Sequence, residues 1–386
     1  MTNAVIAGYA RTPFHFSRKG LLKDSRPDDL AALAIRALVD RSGLDPALIE
    51  DVLLGCAYPE AAQGNNIARI ASLLAGLPQE LGGGTVNRFC GSSMYAIHIA
   101  AGQIAIGAGE AFIAGGVESM TMVPQGGFNF SPNPRFPFRG EPGTDQVVEA
   151  YIAMGQTAEN VAARYHIARA EQDQLAVESH AKAAKAQAEG LLADEIVPVV
   201  LPDGTVVDQD GCIRPGTSLE VLAGLKPAFR EDGLVTAGTS SPLTDGAVAT
   251  LVTSEEFAAK HGLDILARIR STAVAGVEPE YMGIGPVPAT RKALARAGLT
   301  VGDLDVVELN EAFGSQAVAC MNELEIPREI VNIDGGALAL GHPLGATGAR
   351  ITAKAAQILR RAGGRYALAT QCIGGGQGIA TILEAV

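Results

Sequence analysis

The sequence predicts an α/β protein made of two similar halves, with a separate segment inserted into the first half. Three observations predict this fold class. Strand-like apolar runs alternate with segments of helical periodicity along the chain. One stretch of the first half recurs in the second half at a constant spacing. A long, turn-rich segment of different composition interrupts the first copy.

The first half alternates strands and helices from its start. After the strand VIAGYA, Pro27 and two aspartates begin a helix whose apolar positions share one face, and Gly43 ends it. Residues 92–106 are apolar nearly all round, so we expect a central helix that is covered on all sides. The alternation predicts a mainly parallel sheet. The other predicted elements are a strand at 51–56, a helix at 67–75, a strand at 85–89 and a strand at 111–116.

The second half repeats this plan. The stretch GLDPALIEDVLL at Gly43 matches GLTVGDLDVVEL at Gly298, which lies 255 positions later (298 − 43), and the same spacing relates the strands AFIAG and YALAT. A repeat held at one spacing in two separate segments indicates a duplicated unit. In this register Val117 corresponds to Cys372.

The first half also carries an insertion. The strand GIATILEAV begins 6 positions after Cys372 (378 − 372), whereas its counterpart GAVATLVTS begins 129 positions after Val117 (246 − 117), so 123 residues are added (129 − 6). The predicted domains are residues 1–118 plus 242–264 for the first half, 119–241 for the inserted loop domain and 265–386 for the second half.

The insert has its own composition. It begins with a loop rich in Pro, Gly and Phe, which includes residues 124–137, and continues with an alanine-rich helix predicted over 157–189 that stops at Gly190. Its last part is rich in turns. A segment that leaves a sheet and returns to it can cover the strand ends, where ligands bind in α/β folds.

The composition excludes several classes of protein. The 386 residues are 47% hydrophobic, enough for a large core and two or three domains. The net charge of −12 argues against general binding to nucleic acid or acidic membranes, so an anionic ligand needs a local basic patch. The most apolar stretch, 94–116, is interrupted by polar residues and predicts a core helix and a strand, not a membrane span. Five irregularly spaced cysteines and a strand-like N-terminus without a secretory signal favour a reducing, cytoplasmic location.

Three glycine-containing turns hold the candidate reactive side chains. In GHPLGATGAR, His342 lies just before a helix predicted over 346–361. In QCIGGGQG, Cys372 ends a strand, and the N–H groups of the three following glycines can approach a developing negative charge. In NRFCGSS, Cys90 lies at the start of the helix at Ser92, where backbone N–H groups and the helix dipole lower a thiol pKa.

Each candidate also has a purely structural interpretation. Cys90 and Cys372 could be small buried apolar residues, and His342 could be a core or capping residue, although a histidine that titrates near neutral pH suits a general base. Asn310, after the strand DVVEL, could cap a turn or orient a water or a substrate oxygen. The cysteines interpreted as structural are Cys56, Cys212 and Cys320.

Other chemistries lack their motifs. The sequence contains no CxxC or HxxxH pair for a metal, and we expect no metal site. It also contains no GxxxxGK[ST] loop, no GxGxxG after a first strand and no G-x-S-x-G turn. Binding of a nucleoside triphosphate or dinucleotide is therefore unsupported.

Taken together, NRFCGSS, NEAF, GHPLGATGAR and CIGGGQG resemble the motifs of the thiolase family. The resemblance covers essentially the whole chain. Ketosynthases share the fold and the first cysteine, but the second cysteine in CxGGG and the NEAF stretch are similar to thiolases. The resemblance implies duplicated α/β halves with helices between mixed sheets. It also implies CoA-dependent cleavage of a 3-ketoacyl-CoA to acetyl-CoA and a shortened acyl-CoA by a ping-pong mechanism, with CoA as co-substrate and no permanently bound cofactor.

The resemblance also implies residue roles. Cys90 would be acylated after activation by His342, and Cys372 would be the acid/base at the substrate α-carbon. Asn310, through a water, would form one oxyanion hole with His342, and the N–H groups of Cys90 and Gly374 would form the other. The residues implied to bind CoA or line its channel are Arg214, Phe229, Ser241, Met154, Met282 and Phe313.

One departure separates the subgroups. Short-chain acetoacetyl-CoA thiolases tend to carry His before the Met-Gly that opens the TAEN helix, where this chain has Ala153. With NRFCGSSM and TAGTSSPLTDG, this resembles the degradative 3-ketoacyl-CoA thiolases of fatty-acid β-oxidation. The alternatives are a biosynthetic acetoacetyl-CoA thiolase, which condenses two acetyl-CoA, and a non-catalytic CoA-binding homologue. The resemblance allows a homodimer or homotetramer and a hydratase/dehydrogenase partner.

Overall fold

The computed structural model describes residues 2–136 and 148–386, so part of the predicted Pro/Phe-rich loop, residues 137–147, lies outside the described residues. The strands are β1 Ala4–Arg11, β2 His15–Phe16, β3 Asp51–Gly55, β4 Gly84–Val86, β5 Ala111–Ser119, β6 Val199–Val200, β7 Val206–Val207, β8 Thr244–Ser254, β9 Ala267–Gly276, β10 Val306–Leu309, β11 Tyr366–Ile373 and β12 Gln377–Glu384. The helices are α1 Pro27–Ser42, α2 Ile67–Leu74, α3 Ser92–Ala105, α4 Met154–Arg164, α5 Arg169–Ala188, α6 Leu219–Ala223, α7 Glu255–His261, α8 Pro286–Ala297, α9 Gly314–Leu324, α10 Ala337–Leu340 and α11 Leu344–Ala362. None of the helices in the described ranges is both long and apolar enough to cross a membrane.

Two related groups of strands meet along β1 and β9. The strand order is β10-β11-β12-β9-β1-β8-β5-β3-β4, with β2 paired to β8. The seam between the groups is short, since β1 and β9 pair only at Val5 with Arg268 and at Ile6 with Ala267. Outward from this seam, β1, β8, β5 and β3 correspond to β9, β12, β11 and β10. This is the order expected for the predicted duplication.

The prediction of a mainly parallel sheet is wrong. In the described part of the large sheet, the parallel pairs are β3–β4, β3–β5 and β10–β11. The pairs β5–β8 and β11–β12 are antiparallel, because the chain reverses direction after β5 through the insert and after β11 through a tight turn. The sheet is therefore mixed, as the thiolase resemblance implies.

Alternate strand positions face different helical layers. In β3, Val52 packs with residues of α1 and α2, whereas Leu53 packs with residues of α3. In β10, Val307 packs with α8 and α9, whereas Val306 packs with α11. Helices α3 and α11 contact each other and strands of both halves. They form a central helical layer between the two strand groups, with α1 and α2 outside one group and α8 and α9 outside the other.

Helix α3 is less covered than its sequence predicts. Its buried face includes Met94, Ile97 and Ala100, which pack in the central layer. Gly102 and Ala105 are exposed in the single chain. The expectation that this helix is covered on all sides is therefore wrong for the monomer.

Over residues 157–189 of the insert, where the sequence predicts one helix, the structure has two. Helix α4 ends at Arg164 and α5 begins at Arg169, and between them His166 has a left-handed φ of 55° that breaks the helix. Both helices pack against α9, and α5 also packs against α10. The insert therefore lies against the segments that carry NEAF and GHPLGATGAR.

Candidate active site

Cys90 lies in a tight turn between β4 and α3. Gly91 is the N-cap of α3, and Phe89 has a φ of 44°, in the left-handed region that a β-carbon disfavours. Ser92 closes the turn: its Oγ accepts from the Arg88 N–H at 2.9 Å and donates to the Phe89 carbonyl at 2.6 Å. The thiol is therefore held at the start of a helix, as predicted.

The thiol of Cys90 is polarised by N–H groups but is not ionised at neutral pH. Burial raises the pKa of Cys90 to about 11, against the opposing effect of hydrogen bonds from the Gly374 N–H and from its own N–H. The N–H groups lower this pKa as expected, but desolvation of the thiolate outweighs both donors, so the net effect is a raised pKa. The resting thiol keeps its proton and needs a base.

The glycines after Cys372 serve two different purposes. Gly375 and Gly376 have φ values of 79° and 83°, and a β-carbon on Gly376 would lie 2.3 Å from the Val277 carbonyl oxygen. The turn from β11 to β12 therefore requires glycine at both positions. Gly374 has no such requirement, since a β-carbon there would meet nothing closer than the Met154 sulfur at 3.5 Å. Gly374 differs from the other two glycines because its N–H is directed at Cys90.

Cys372 lies near the end of β11, opposite Gly378 of β12, and is 1% exposed. Burial raises its pKa well above the ordinary thiol value, and the charge of a Cys90 thiolate is the second cause. The two thiols lie in one site, since the side-chain amide of Gln371, the residue before Cys372, donates to the Cys90 carbonyl. Because both pKa values are raised, both thiols are protonated at neutral pH.

His342 is held in one tautomer. Its Nδ1 lies 2.6 Å from Thr347 Oγ1, and this hydroxyl donates its proton to the Pro343 carbonyl at 3.0 Å. The hydroxyl oxygen must then accept from Nδ1–H, an assignment made from the hydrogen-bond pattern. Nε2 is left unprotonated, 3.4 Å from Asn310 Nδ2. The main chain of His342 is fixed by donation to Thr244 Oγ1 at 3.0 Å.

The imidazole of His342 is neutral at physiological pH. Burial lowers its pKa to about 3, with a smaller contribution from the charge of Arg350, which pairs with Glu308 at 3.3 Å. The expectation that this histidine titrates near neutral pH is therefore wrong. Because the pKa of Cys90 is about 11 and that of His342 is about 3, proton transfer from the thiol to the imidazole is unfavourable before substrate binds. The charged pair has to be stabilised by what the substrate brings.

Asn310 directly follows β10, and its side chain is turned toward His342. It is fully buried, its N–H donates to the Thr370 carbonyl at 3.0 Å, and its Oδ1 has no hydrogen-bond partner in the described part of the chain. A buried, unpartnered amide oxygen is rare because it is costly. Its environment fits a residue that orients a water or a ligand better than one that caps a turn.

Sequence reasoning missed Gln371 and Glu118. The side-chain amide of Gln371 donates to the Cys90 carbonyl, so the residue before the second cysteine holds the turn of the first. Glu118, 1% exposed, accepts from the N–H groups of Ala57 and Gly345 at 2.8 Å each. It ties the end of β5 to the loop after β3 and to the start of α11. The sequence signal for Gln371 was its position next to Cys372, and Glu118 had no such signal.

Five of the six residues predicted to contact CoA lie together, each in contact with another of the five or with its neighbour in the chain. The apolar cluster around Cys372 includes Met154, Met282 and Phe313. The Phe229 ring lies 5.9 Å from the Phe313 ring, and the Ser241 N–H donates to the carbonyl of the residue before Phe313 at 3.0 Å. Arg214 is exposed, with its guanidinium 5.1 Å from the centre of the Phe16 ring.

The remaining cysteines are buried. Cys320 Sγ contacts the Gly283 carbonyl at 3.2 Å, and burial raises the pKa values of Cys212 and Cys320 to about 12. Cys56 is also buried, beside Glu118. Within residues 2–136 and 148–386, no group of three or more His, Cys, Asp or Glu side chains could hold a metal ion.

Two family models match nearly the whole chain. The model described as "Thiolase, N-terminal domain" matches residues 4–256, and the model described as "Thiolase, C-terminal domain" matches residues 263–385. The matched ranges meet just before β9, where the second half of the fold begins.

Individual relatives agree. A 3-oxoadipyl-CoA/3-oxo-5,6-dehydrosuberyl-CoA thiolase of Escherichia coli (strain K12) is 48% identical over 409 aligned residues, and a 3-ketoacyl-CoA thiolase of Bacillus subtilis (strain 168) is 45% identical over 396; each match covers 100% of both chains. The crystal structure of the Bacillus anthracis acetyl-CoA acetyltransferase is similar with a TM-score of 0.90 and 40% identity, over 100% of this chain and 99% of that one. The predicted resemblance, fold class and acyltransferase activity are confirmed, which removes the non-catalytic alternative. The chain belongs to the thiolase family.

Proposed function

We propose that the protein cleaves 3-ketoacyl-CoA with CoA, giving acetyl-CoA and an acyl-CoA two carbons shorter, through an acyl group carried on Cys90. The observation that carries the proposal is that one site brings together two thiols, the partly buried Cys90 at the start of α3 and the buried Cys372 near the end of β11. Cleavage needs a nucleophile for the keto carbon and an acid for the enolate that leaves, and one thiol cannot serve as both in the same step.

The proposed reaction has two half-reactions. His342 accepts the proton of Cys90, whose sulfur attacks C3, and the oxyanion receives hydrogen bonds from N–H groups such as that of Gly374. The C2–C3 bond breaks, and Cys372 protonates C2 of the enolate to release acetyl-CoA. The CoA thiol then returns a proton to Cys372 and attacks the thioester, and His342 reprotonates Cys90 as the acyl-CoA leaves.

We further propose a degradative role in fatty-acid β-oxidation. Ala153, a small residue, is exposed at the N-cap of α4, and the groups beside Cys90 are apolar. Both features suit acyl chains longer than acetyl. CoA then acts as a co-substrate in the channel lined by Met154 and Phe313.

Edge strand β4 and the exposed side of α3 suit a homodimer or homotetramer. A cytoplasmic location and a hydratase/dehydrogenase partner stay predictions.

The second candidate is condensation of two acetyl-CoA in the same site, which the name of the B. anthracis enzyme favours. A series of kcat/KM values for 3-ketoacyl-CoA substrates of four to sixteen carbons, with 3-oxoadipyl-CoA included, separates the candidates. The degradative proposal predicts that kcat/KM holds or rises from four to eight carbons, by at most about 0.8 kcal/mol per methylene. A steep fall from four to six and eight carbons contradicts it.

A further inference from the structure

Tyr58 lies between the turn of Cys90 and the loop that begins the insert. The centre of its ring is 6.1 Å from that of Phe89, at an interplanar angle of 50°. Its hydroxyl oxygen accepts a hydrogen bond from the Gly126 N–H. The apolar group that packs with both Tyr58 and Cys90 consists of Ala57, Met120 and Leu344. A single side chain therefore contacts the surroundings of the nucleophile and the loop.

The main chain of Tyr58 is fixed on both sides. Its N–H donates to Glu118 Oε1 at 3.2 Å, and its carbonyl accepts from Gln63 Nε2 at 2.8 Å. The loop is attached at a second point, because the Phe128 N–H donates to Glu60 Oε2 at 2.8 Å. The position of Tyr58 is therefore fixed by hydrogen bonds of its main chain and of the neighbouring loop.

The two thiols have different apolar neighbours. Cys90 and Tyr58 pack against the group of Ala57, Met120 and Leu344, whereas Met154, Met282 and Phe313 pack with Cys372. An acyl group on Cys90 starts at that sulfur, so the side chains packed against it are the first walls that the chain meets. Tyr58 is the largest of these neighbours and the one that also holds a loop.

We infer that Tyr58 is a specificity-determining residue, whose ring limits the space for the acyl group on Cys90 and whose hydroxyl holds the loop at Gly126 beside that space. The inference rests on the proposed function, since it requires an acyl group on Cys90. Removing the ring opens space for longer acyl chains on Cys90. It also takes an apolar contact away from the shortest acyl group. Removing only the hydroxyl releases the loop and leaves the wall.

The test is the ratio of kcat/KM for 3-ketodecanoyl-CoA to that for acetoacetyl-CoA. Tyr58→Ala should raise this ratio about tenfold or more, because filling or opening apolar space of methylene size changes selectivity by that order. Tyr58→Leu should raise it less, and Tyr58→Phe should keep it while lowering kcat/KM for both substrates by up to about tenfold through the lost hydrogen bond. Tyr366→Ala is the matched control, a partly buried tyrosine at the opposite end of β11 from Cys372, and should leave the ratio unchanged.

Two failures are distinguishable. If the wild type cleaves 3-ketoacyl-CoA and acylates Cys90 by peptide mass, but the ratio in folded Tyr58→Leu stays within about twofold of wild type, the inference is overturned and the proposed function stands. If the wild type neither cleaves nor acylates, the proposed function falls and the inference with it. Should Tyr58→Ala fail to fold, Tyr58→Leu decides.

Discussion

The Nδ1 atom of His342 lies 2.6 Å from the hydroxyl oxygen of Thr347. Because that hydroxyl already donates to the Pro343 carbonyl, it accepts from the ring and leaves Nε2 free to take a proton. The tautomer of the base is thus set by a residue five positions along the same motif. Thr347 positions the base and touches no reacting atom.

Thr347→Val, which keeps the shape but removes the hydroxyl, should lower kcat with little change in KM. The Nδ1–H of His342 would be buried without a partner, a penalty of about 1–3 kcal/mol that shifts the tautomer or tilts the ring, so we expect a loss of about tenfold to a hundredfold. Thr347→Ser should recover most of the rate. Equal kcat values for the serine and valine variants would contradict the role of the hydroxyl.

Alkylation of Cys90 should report its raised pKa. A thiol with a pKa of about 11 becomes charged only as pH rises toward that value, so its thiolate fraction grows about tenfold per pH unit between about pH 7 and about pH 9. Iodoacetamide labelling in the absence of acyl-CoA, mapped to Cys90 by peptide mass, should follow this slope. A rate that is flat above about pH 7 would mean a thiolate–imidazolium pair at rest, contrary to the low pKa of His342.

Glu118→Gln should destabilise the fold. The change replaces one acceptor oxygen with a donor, which faces either the Ala57 and Gly345 N–H groups at Oε2 or the donors of Tyr58 and Gln63 at Oε1, at a cost of about 1–3 kcal/mol per unsatisfied buried group. Urea denaturation measures this loss. The control is Glu60→Gln, at a half-buried carboxylate in the loop contact with Phe128, for which we expect less than about 1 kcal/mol. Equal losses in the two variants would contradict the role of Glu118 as a buried tie.

The sequence predicted what local pattern determines. Pro27 and Gly43 mark the ends of α1. The spacing of the repeat identified β3 and β10, and likewise β5 and β11, as equivalent strands of the two halves. Cys90, His342 and Cys372 were recognisable because glycine-rich turns surround them. The break between α4 and α5 was not recognisable, since the alanine-rich periodicity continues across it.

The rest depends on contacts between distant segments. The pKa values of Cys90 and His342 are set by burial, which follows from what packs over each side chain and not from its place at a helix end. Tyr58 has no motif of its own, and its position beside Cys90 arises only when β3, α3 and the insert come together.

The separation of roles between the two thiols is tested most directly in Cys372→Ala. This variant should still take an acyl group from a simple acyl-CoA onto Cys90, because that half-reaction needs no carbon acid and CoA can leave as a thiolate without the proton that Cys372 supplies in the wild type. It should lose exchange of the acetyl-CoA α-hydrogens with solvent deuterium by about 10²- to 10⁴-fold, the usual effect of removing an acid/base. Mass spectrometry of the protein and of acetyl-CoA in one reaction measures both, with Cys90→Ala as the control that takes no acyl group. A folded Cys372→Ala that fails to acylate, or that exchanges α-hydrogens at the wild-type rate, would contradict the account.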